Sequence, residues 1–311
     1  MTLSNSIKVR FLKDFKIPIQ VVQEPFFSYA IETLDPVLNT QGKLDLLIDI
    51  VSNLGNEELF FAESNHVKKT IIDTVQATPS YRQLQQDKLE KYDISKDNQV
   101  KQADIYHMGN VNKTFISLDL KHANFNVMKM YDTSLVMGFD SYESLVGSIS
   151  QFEYFKQSKY LRQVIFGNML PKKQQKLQKW VMSQLIHMLH TDIGIAMEDF
   201  VSASADEVLF VIDPENADKF VEMINRKLSG NETTKEFASW VRVESFKLES
   251  IGNKTFFVKR FMDNSVDFKG IPSFLFMQVF KKYIEENEEE LDRVFYHEGF
   301  MATFKEGVFD E

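Results

Sequence analysis

The sequence predicts an α+β fold, with a mainly antiparallel sheet carrying helices on one face and a largely helical region ahead of it. Three observations predict it. Residues 1–95 read mostly as helices. From Lys113 onward the pattern becomes strand, helices, hairpin, helix, hairpin, helix, an order that places helices together on one side of an antiparallel sheet. The chain has 311 residues, 43% hydrophobic and 26% charged, an ordinary globular composition with length enough for a sizeable core.

The elements follow from local pattern. Gly42–Gly55, "GKLDLLIDIVSNLG", has apolar residues at helical spacing and closes on glycine. Glu63–Gln76 reads likewise, and Pro79–Ile94 is a polar helix or a connector. The polar stretch Ser95–Gln102 marks a boundary. "KTFISLDL" is a strand. Asp140–Gly167 is helical, and Pro171–His190 is a long helix opened by proline. Glu198–Ile212, "EDFVSASADEVLFVI", reads as strand, tight turn, strand. Pro214–Leu228 is a helix. Trp240–Met262 alternates like two strands around a turn at Gly252-Asn253. Ser273–Phe295 reads as one terminal helix. The expected organisation is a helical region 1–95, a catalytic domain 96–270 with inserted basic helices, and a C-terminal helix with an acidic tail, 271–311.

There is no cysteine, which excludes disulfides, thiolate metal sites and a Cys nucleophile. No apolar run approaches the ~20 residues of a membrane span, and the N-terminus lacks the apolar stretch of a signal peptide. A cytoplasmic protein without a membrane partner is expected. The net charge of −9 argues against a chain that binds nucleic acid over its whole surface. The charge is segregated, however. Phe152–Trp180 holds seven Lys/Arg against one acid, and Ile284–Glu311 holds ten acids against two bases. A local anion site is compatible with that distribution.

Two stretches carry candidate chemistry. "FISLDLKHANFN" ends an apolar strand on Asp119. "SASADEVLFVID" sets Asp206-Glu207 ahead of another apolar run. Carboxylates delivered by separate strands to one spot suit a hard divalent ion such as Mg²⁺ or Mn²⁺. They also suit two-metal phosphoryl transfer, where one ion activates the attacking oxygen and the other steadies the leaving group. Asp119 and Asp206 are the candidate metal ligands, with Glu207 a third ligand or an orienting group.

"LDLKHANFNV" resembles motif A of palm-domain polymerases, with Asp119, Ala123 and Phe125 matching and Asn124 standing where an aromatic sugar-gating residue is expected. "SADEVLFVI" resembles motif C, the acidic hairpin. Its Asp-Glu order is similar to that of family A DNA polymerases and of tRNA-His guanylyltransferases. "SKYLRQVIFGNMLP" is similar to a fingers helix, in which Lys159 and Arg162 would hold an incoming triphosphate ahead of Phe166-Gly167. The chain departs from these families too. Leu120 follows Asp119 where the guanylyltransferases have glycine, and Asp206-Glu207 replaces the Asp-Asp of reverse transcriptases. The resemblance, over roughly residues 110–260, implies a palm-like sheet and a Mg²⁺-dependent nucleotidyltransferase. Its partners would be a nucleoside triphosphate and a nucleic-acid end, with Lys159, Arg162 and Asn124 on the substrate.

Other readings of the same residues stay open. Asp119 could cap a following helix, Asp206-Glu207 could be turn chemistry, and Lys159 and Arg162 could be a solvated stripe. His187 and His190 lack the usual four-residue spacing of a helical metal pair; His122 could touch substrate. A nucleotide cyclase, a metal-dependent nuclease and a non-catalytic palm-like scaffold are the alternative functions.

Overall fold

A computed structural model describes residues 3–94, 100–252, 256–285, 289–297 and 300–306. Five helices come first: α1 (Asn5–Phe15), α2 (Phe26–Leu38), α3 (Thr40–Leu54), α4 (Glu57–Ala77) and α5 (Pro79–Gln86). Their ends follow local chemistry. Ser4, Asn56 and Thr78 accept a backbone N–H at the starts of α1, α4 and α5, satisfying donors that a helix start leaves free. Gly55 closes α3 at φ 93°, a conformation that glycine adopts without strain.

Strand β1 (Thr114–Leu120) follows, then α6 (Ala123–Tyr131), α7 (Tyr142–Gly147), α8 (Glu153–Gln157), α9 (Lys159–Phe166) and α10 (Pro171–Met188). The hairpin β2 (Phe200–Ala203) and β3 (Glu207–Ile212), helix α11 (Ala217–Gly230), and strands β4 (Val241–Ser250), β5 (Phe257–Phe261) and β6 (Val266–Lys269) complete the sheet. The strand order is β2-β3-β1-β4-β5-β6, every adjacent pair antiparallel. The first four strands and their helices form a β-α-β-β-α-β arrangement, with β1 at its centre.

Alternation along β1 divides the sheet's two faces. Ile116, Leu118 and Leu120 join Val208 and Phe210 in the main core with the helices. Phe115 joins Leu209, Phe246, Leu248 and Phe257 in a second cluster, against Ile105, Tyr106 and Val111. The helices therefore lie on one face, as expected. The opposite face is covered in part by the segment around residues 103–112.

Two elements differ in detail from expectation. The Asp140–Gly167 region is three short helices. The expected turn at Gly252-Asn253 has its Asn outside the described residues, as are Ser95–Gln102 in its first five positions. The terminal helix α12 spans only Phe276–Glu285, and a small hairpin follows, β7 (Val294–His297) with β8 (Phe300–Thr303). The aromatics beyond α12 favour strands. Among the described residues no helix is long and apolar enough to cross a membrane.

Candidate functional site

Every residue of β1 is buried except Asp119, which is half-buried. Asp119 is not a helix cap, because His122 precedes α6 in a left-handed conformation (φ 49°). It sits in the sheet instead, with Glu207 as its Cα partner on one side and Arg242 on the other. Like charges directly opposite destabilise an antiparallel pair. Here the Arg242 guanidinium offsets that repulsion, its Nη2 donating to Asp119 Oδ2 at 3.0 Å while its Nε reaches Glu244 Oε2 at 3.2 Å.

The turn between β2 and β3 is built by Ser204. Its hydroxyl accepts from the N–H groups of Asp206 (3.2 Å) and Glu207 (3.0 Å) and donates to Asp206 Oδ1 (2.9 Å). The Leu120 N–H donates to the Asp206 carbonyl at 2.8 Å. The strand end and the turn are thereby fastened together, and the side chains of Asp119 and Asp206 line one cleft. Burial holds the Asp119 carboxyl above the ordinary carboxylate range. Glu207 and Asp206 push the same way, and Arg242 opposes them.

Glu207 takes a different role from its neighbour. Its carboxylate accepts from Ser117 Oγ (2.8 Å) and pairs with the nearly buried Lys259 ammonium (3.1 Å). Lys259 also lies over the Phe246 ring, 4.5 Å from its centroid. Glu207 stands in the Asp119 row, and its carboxylate is tied to the sheet through Ser117 and Lys259. Glu207→Gln should retain the Ser117 contact and lower any Asp119-dependent activity by no more than about 10- to 100-fold, the range for loss of a supporting contact. A larger loss in steady-state assays, matching that of an Asp119 variant, would make Glu207 a direct ligand.

The cleft has a volume of about 610 Å³. Its other wall is basic. Lys16, Lys121, Lys159 and Arg162 line it together with Gln163, His122, Asn124 and Gln178. None of these four cations has a carboxylate within ion-pair distance among the described residues. Arg162 rests over the Tyr142 ring, 5.5 Å from its centroid. Burial lowers the Lys159 pKa, and Lys16, Arg162 and Lys269 add to that. Burial also lowers that of His122, helped by Arg162 and Lys121 and opposed by Glu143, whose Oε1 is 3.6 Å from its Nδ1. Cations gathered this way lack compensation that a bound anion supplies.

A buried carboxylate holds this wall in place. Asp14, fully buried on α1, accepts from Arg10 Nε (2.9 Å), Tyr154 OH (2.8 Å) and Ser158 Oγ (2.9 Å). Ser158 in turn caps α9, its hydroxyl accepting from the Leu161 N–H at 3.0 Å. Lys16 at the end of α1 and Lys159 and Arg162 on α9 therefore move as one unit. Asp14→Ala strands two buried donors, Tyr154 OH and Ser158 Oγ, and removes the carboxylate partner of the half-buried Arg10, and should cost about 3–5 kcal/mol in denaturant unfolding. A loss below about 1 kcal/mol would show that this network is not what fixes the wall.

Asn124 lines the cleft, its Oδ1 accepting from Gln178 Nε2 at 2.7 Å. A side chain at Gly167 would meet the Gln163 carbonyl at 2.5 Å and crowd the Asn124 amide at 3.4 Å, so glycine is needed there. Phe166 packs against Phe125, ring centroids 5.4 Å apart.

The five cleft residues expected from sequence, Asp119, Asp206, Lys159, Arg162 and Asn124, thus converge, while Glu207 is engaged just outside. Lys16, Arg242 and Gln178 went unnoticed. Arg242 had a faint signal, as a charge in the alternating "WVRVES"; Lys16 and Gln178 had none. The α10 lysines are partly structural. Lys176 pairs with Asp93 at 2.6 Å, and Lys173 donates to the Asp87 carbonyl. His190 Nδ1 contacts the Ile195 carbonyl at 2.8 Å, a packing role.

Comparison with protein families, with curated proteins and with solved structures finds no match. The chemistry must therefore be argued from the cleft.

Among the described residues no group of three or more His, Cys, Asp or Glu side chains is arranged to hold a metal ion. Mg²⁺ ordinarily takes one or two carboxylates and completes its shell with water and phosphate oxygens. Asp119 and Asp206 fit that donor set. Burial first, and the neighbouring Glu207 and Asp206 after it, raise the Asp119 pKa, and a cation at this carboxylate would offset that cost.

Proposed function

We propose that this protein is a Mg²⁺- or Mn²⁺-dependent nucleotidyltransferase of palm type, transferring a nucleotidyl group from a nucleoside triphosphate to a nucleic-acid end. The observation that carries the reading is one cleft lined both by two carboxylates, Asp119 and Asp206, and by four cations that have no ion pair among the described residues. A triphosphate with its metal ions has that polarity. The negative tail faces the cations, and the metal-bearing α-phosphate faces the acids.

In this reading Asp119 and Asp206 hold the metal, which supplies charge neutralisation at the reacting phosphate. Lys16, Lys121, Lys159 and Arg162 hold the β- and γ-phosphates and favour departure of pyrophosphate. Asn124, oriented by Gln178, faces the sugar side. Glu207, Ser117 and Lys259 keep the strand under Asp119 in place. Arg242, bonded to both Asp119 and Glu244, would screen Asp119 from the acids beside it. A nuclease would use the same acids but has no need of four cations for a triphosphate tail, so the basic wall favours transfer.

The test is incubation of the protein with each α-labelled nucleoside triphosphate and Mn²⁺ while following pyrophosphate release. Triphosphate-dependent release coupled to label in a longer or cyclic product is the expected result. Absence of release with all four nucleotides, together with no Mn²⁺ binding by calorimetry, would leave the scaffold reading standing.

A further inference from the structure

The open face of the sheet limits what the acceptor can be. The segment 103–112 crosses that face as a strap and is pinned at both ends. At the β2 edge, Ser202 Oγ accepts from the Ala103 N–H (2.9 Å) and donates to the Ala103 carbonyl (2.8 Å). The Ala203 N–H donates to Lys101 O at 3.2 Å. At β4, the Asn112 N–H donates to Leu248 O (2.8 Å), and the Leu248 N–H donates to Lys113 O (3.0 Å). Between the pins Ile105, only 2% exposed, packs with Tyr106 and Val111 on Phe115, Leu209, Phe246, Leu248 and Phe257, which belong to four strands. The strap is therefore an integral layer of the core.

The strap covers the sheet from the Phe115 row outward. Asp119 lies four residues away along β1, about 13 Å at ~3.3 Å per residue. Between the two rows the floor on this face carries Ser117 and Glu244, Glu207 stands in the Asp119 row, and the Lys259 ammonium that reaches Glu207 is already paired to it. Arg242 at the floor's edge is paired to two acids. A duplex presents one negative charge per about 1.7 Å of its axis and needs a basic track to lie on. Among the described residues of that floor no cation is left unpaired to begin one. The unpaired cations stand within the cleft wall, and a volume of about 610 Å³ is that of a small-ligand site.

We propose that the acceptor is an unpaired nucleoside hydroxyl, carried by a mononucleotide or by the last residue of a single strand, and that a base-paired end is excluded. The inference rests on the nucleotidyl-transfer reading and narrows it. The acceptor oxygen forms a bond to the α-phosphorus, and the bond from that phosphorus to the α,β-bridging oxygen breaks. Pyrophosphate leaves with the electron pair, and the hydroxyl proton passes to water.

The experiment gives the full chain Mn²⁺ and a labelled nucleoside triphosphate in three arms. One has a mononucleotide, or the triphosphate alone. One has a single-stranded oligonucleotide. The last has the same oligonucleotide annealed so that its end is recessed and paired. Product is expected in the first or second arm, which tells the two carriers apart, and annealing should reduce it at least tenfold. Equal or faster labelling of the paired end overturns the inference while leaving nucleotidyl transfer intact. No labelled product in any arm, with no pyrophosphate released, overturns the transfer reading and this inference with it.

Discussion

Asp119→Asn is expected to lower metal-dependent nucleotide incorporation by more than about 100-fold, since even partners behind a metal ligand are worth 10- to 100-fold. The substitution keeps size and hydrogen bonding but removes the charge that holds a hard cation. Its effect on stability has the opposite sign. The folded-state pKa of Asp119 is raised, by burial first. The ionised form therefore costs stability at neutral pH. That cost fades as pH falls through the raised pKa and is gone below the unfolded value near 3.9. Asn bears no such cost. In metal-free buffer D119N should melt at or above wild type near pH 7, and the difference should shrink as the pH approaches about 4. Added Mg²⁺ should then reverse the order. A cation bound at 100 times its Kd stabilises wild type by about 2.7 kcal/mol and D119N by far less. Melting curves at two pH values, each with and without metal, separate these outcomes. A variant that responds to metal as wild type does, and has equal activity, would remove Asp119 from the site.

The centre of the sheet was legible because its signals are local. β1 reads as a strand from "TFISLDL", and its one charged residue, Asp119, is the one that reaches the cleft. β2 and β3 read as a hairpin because "SASAD" is too polar and short for anything but a turn between apolar runs. What stayed hidden depends on tertiary contact. β6, "VDFK", is four half-buried residues whose pairing with β5 defines it. The terminal segment was read as one helix because Phe276, Val279 and Phe280 have helical spacing. That spacing does not continue past Glu285.

The site divides the same way. Lys159 and Arg162 share one helix face by spacing alone, so their joint approach to the cleft was readable. Lys16 reaches the same wall only because Asp14 locks α1 against Ser158, a contact 144 positions apart. The engagement of Glu207 by Ser117 and Lys259 also lay outside local pattern. Which carboxylate of an Asp-Glu turn faces the cleft depends on Lys259, the partner buried on another strand.

Arg162→Glu should weaken triphosphate binding by more than about 100-fold. A hydrogen bond to a charged group contributes about 1.5–3 kcal/mol, each 1.4 kcal/mol is a factor of ten, and reversal adds repulsion to the loss. The fold should persist, because Arg162 packs only over the Tyr142 ring and makes no ion pair among the described residues. A second readout does not depend on any ligand. Arg162 lowers the His122 pKa, so a glutamate in its place should move the His122 titration upward, followed by NMR. Lys172→Glu serves as the control, since Lys172 is exposed on α10 and outside the cleft. It should change neither readout. Loss of triphosphate affinity in R162E alone, with His122 shifted, would assign the basic wall to the phosphates. An upward His122 shift with unchanged affinity would keep the geometry and return Lys159 and Arg162 to the solvated surface, leaving the acids without the partner that makes them a transferase site.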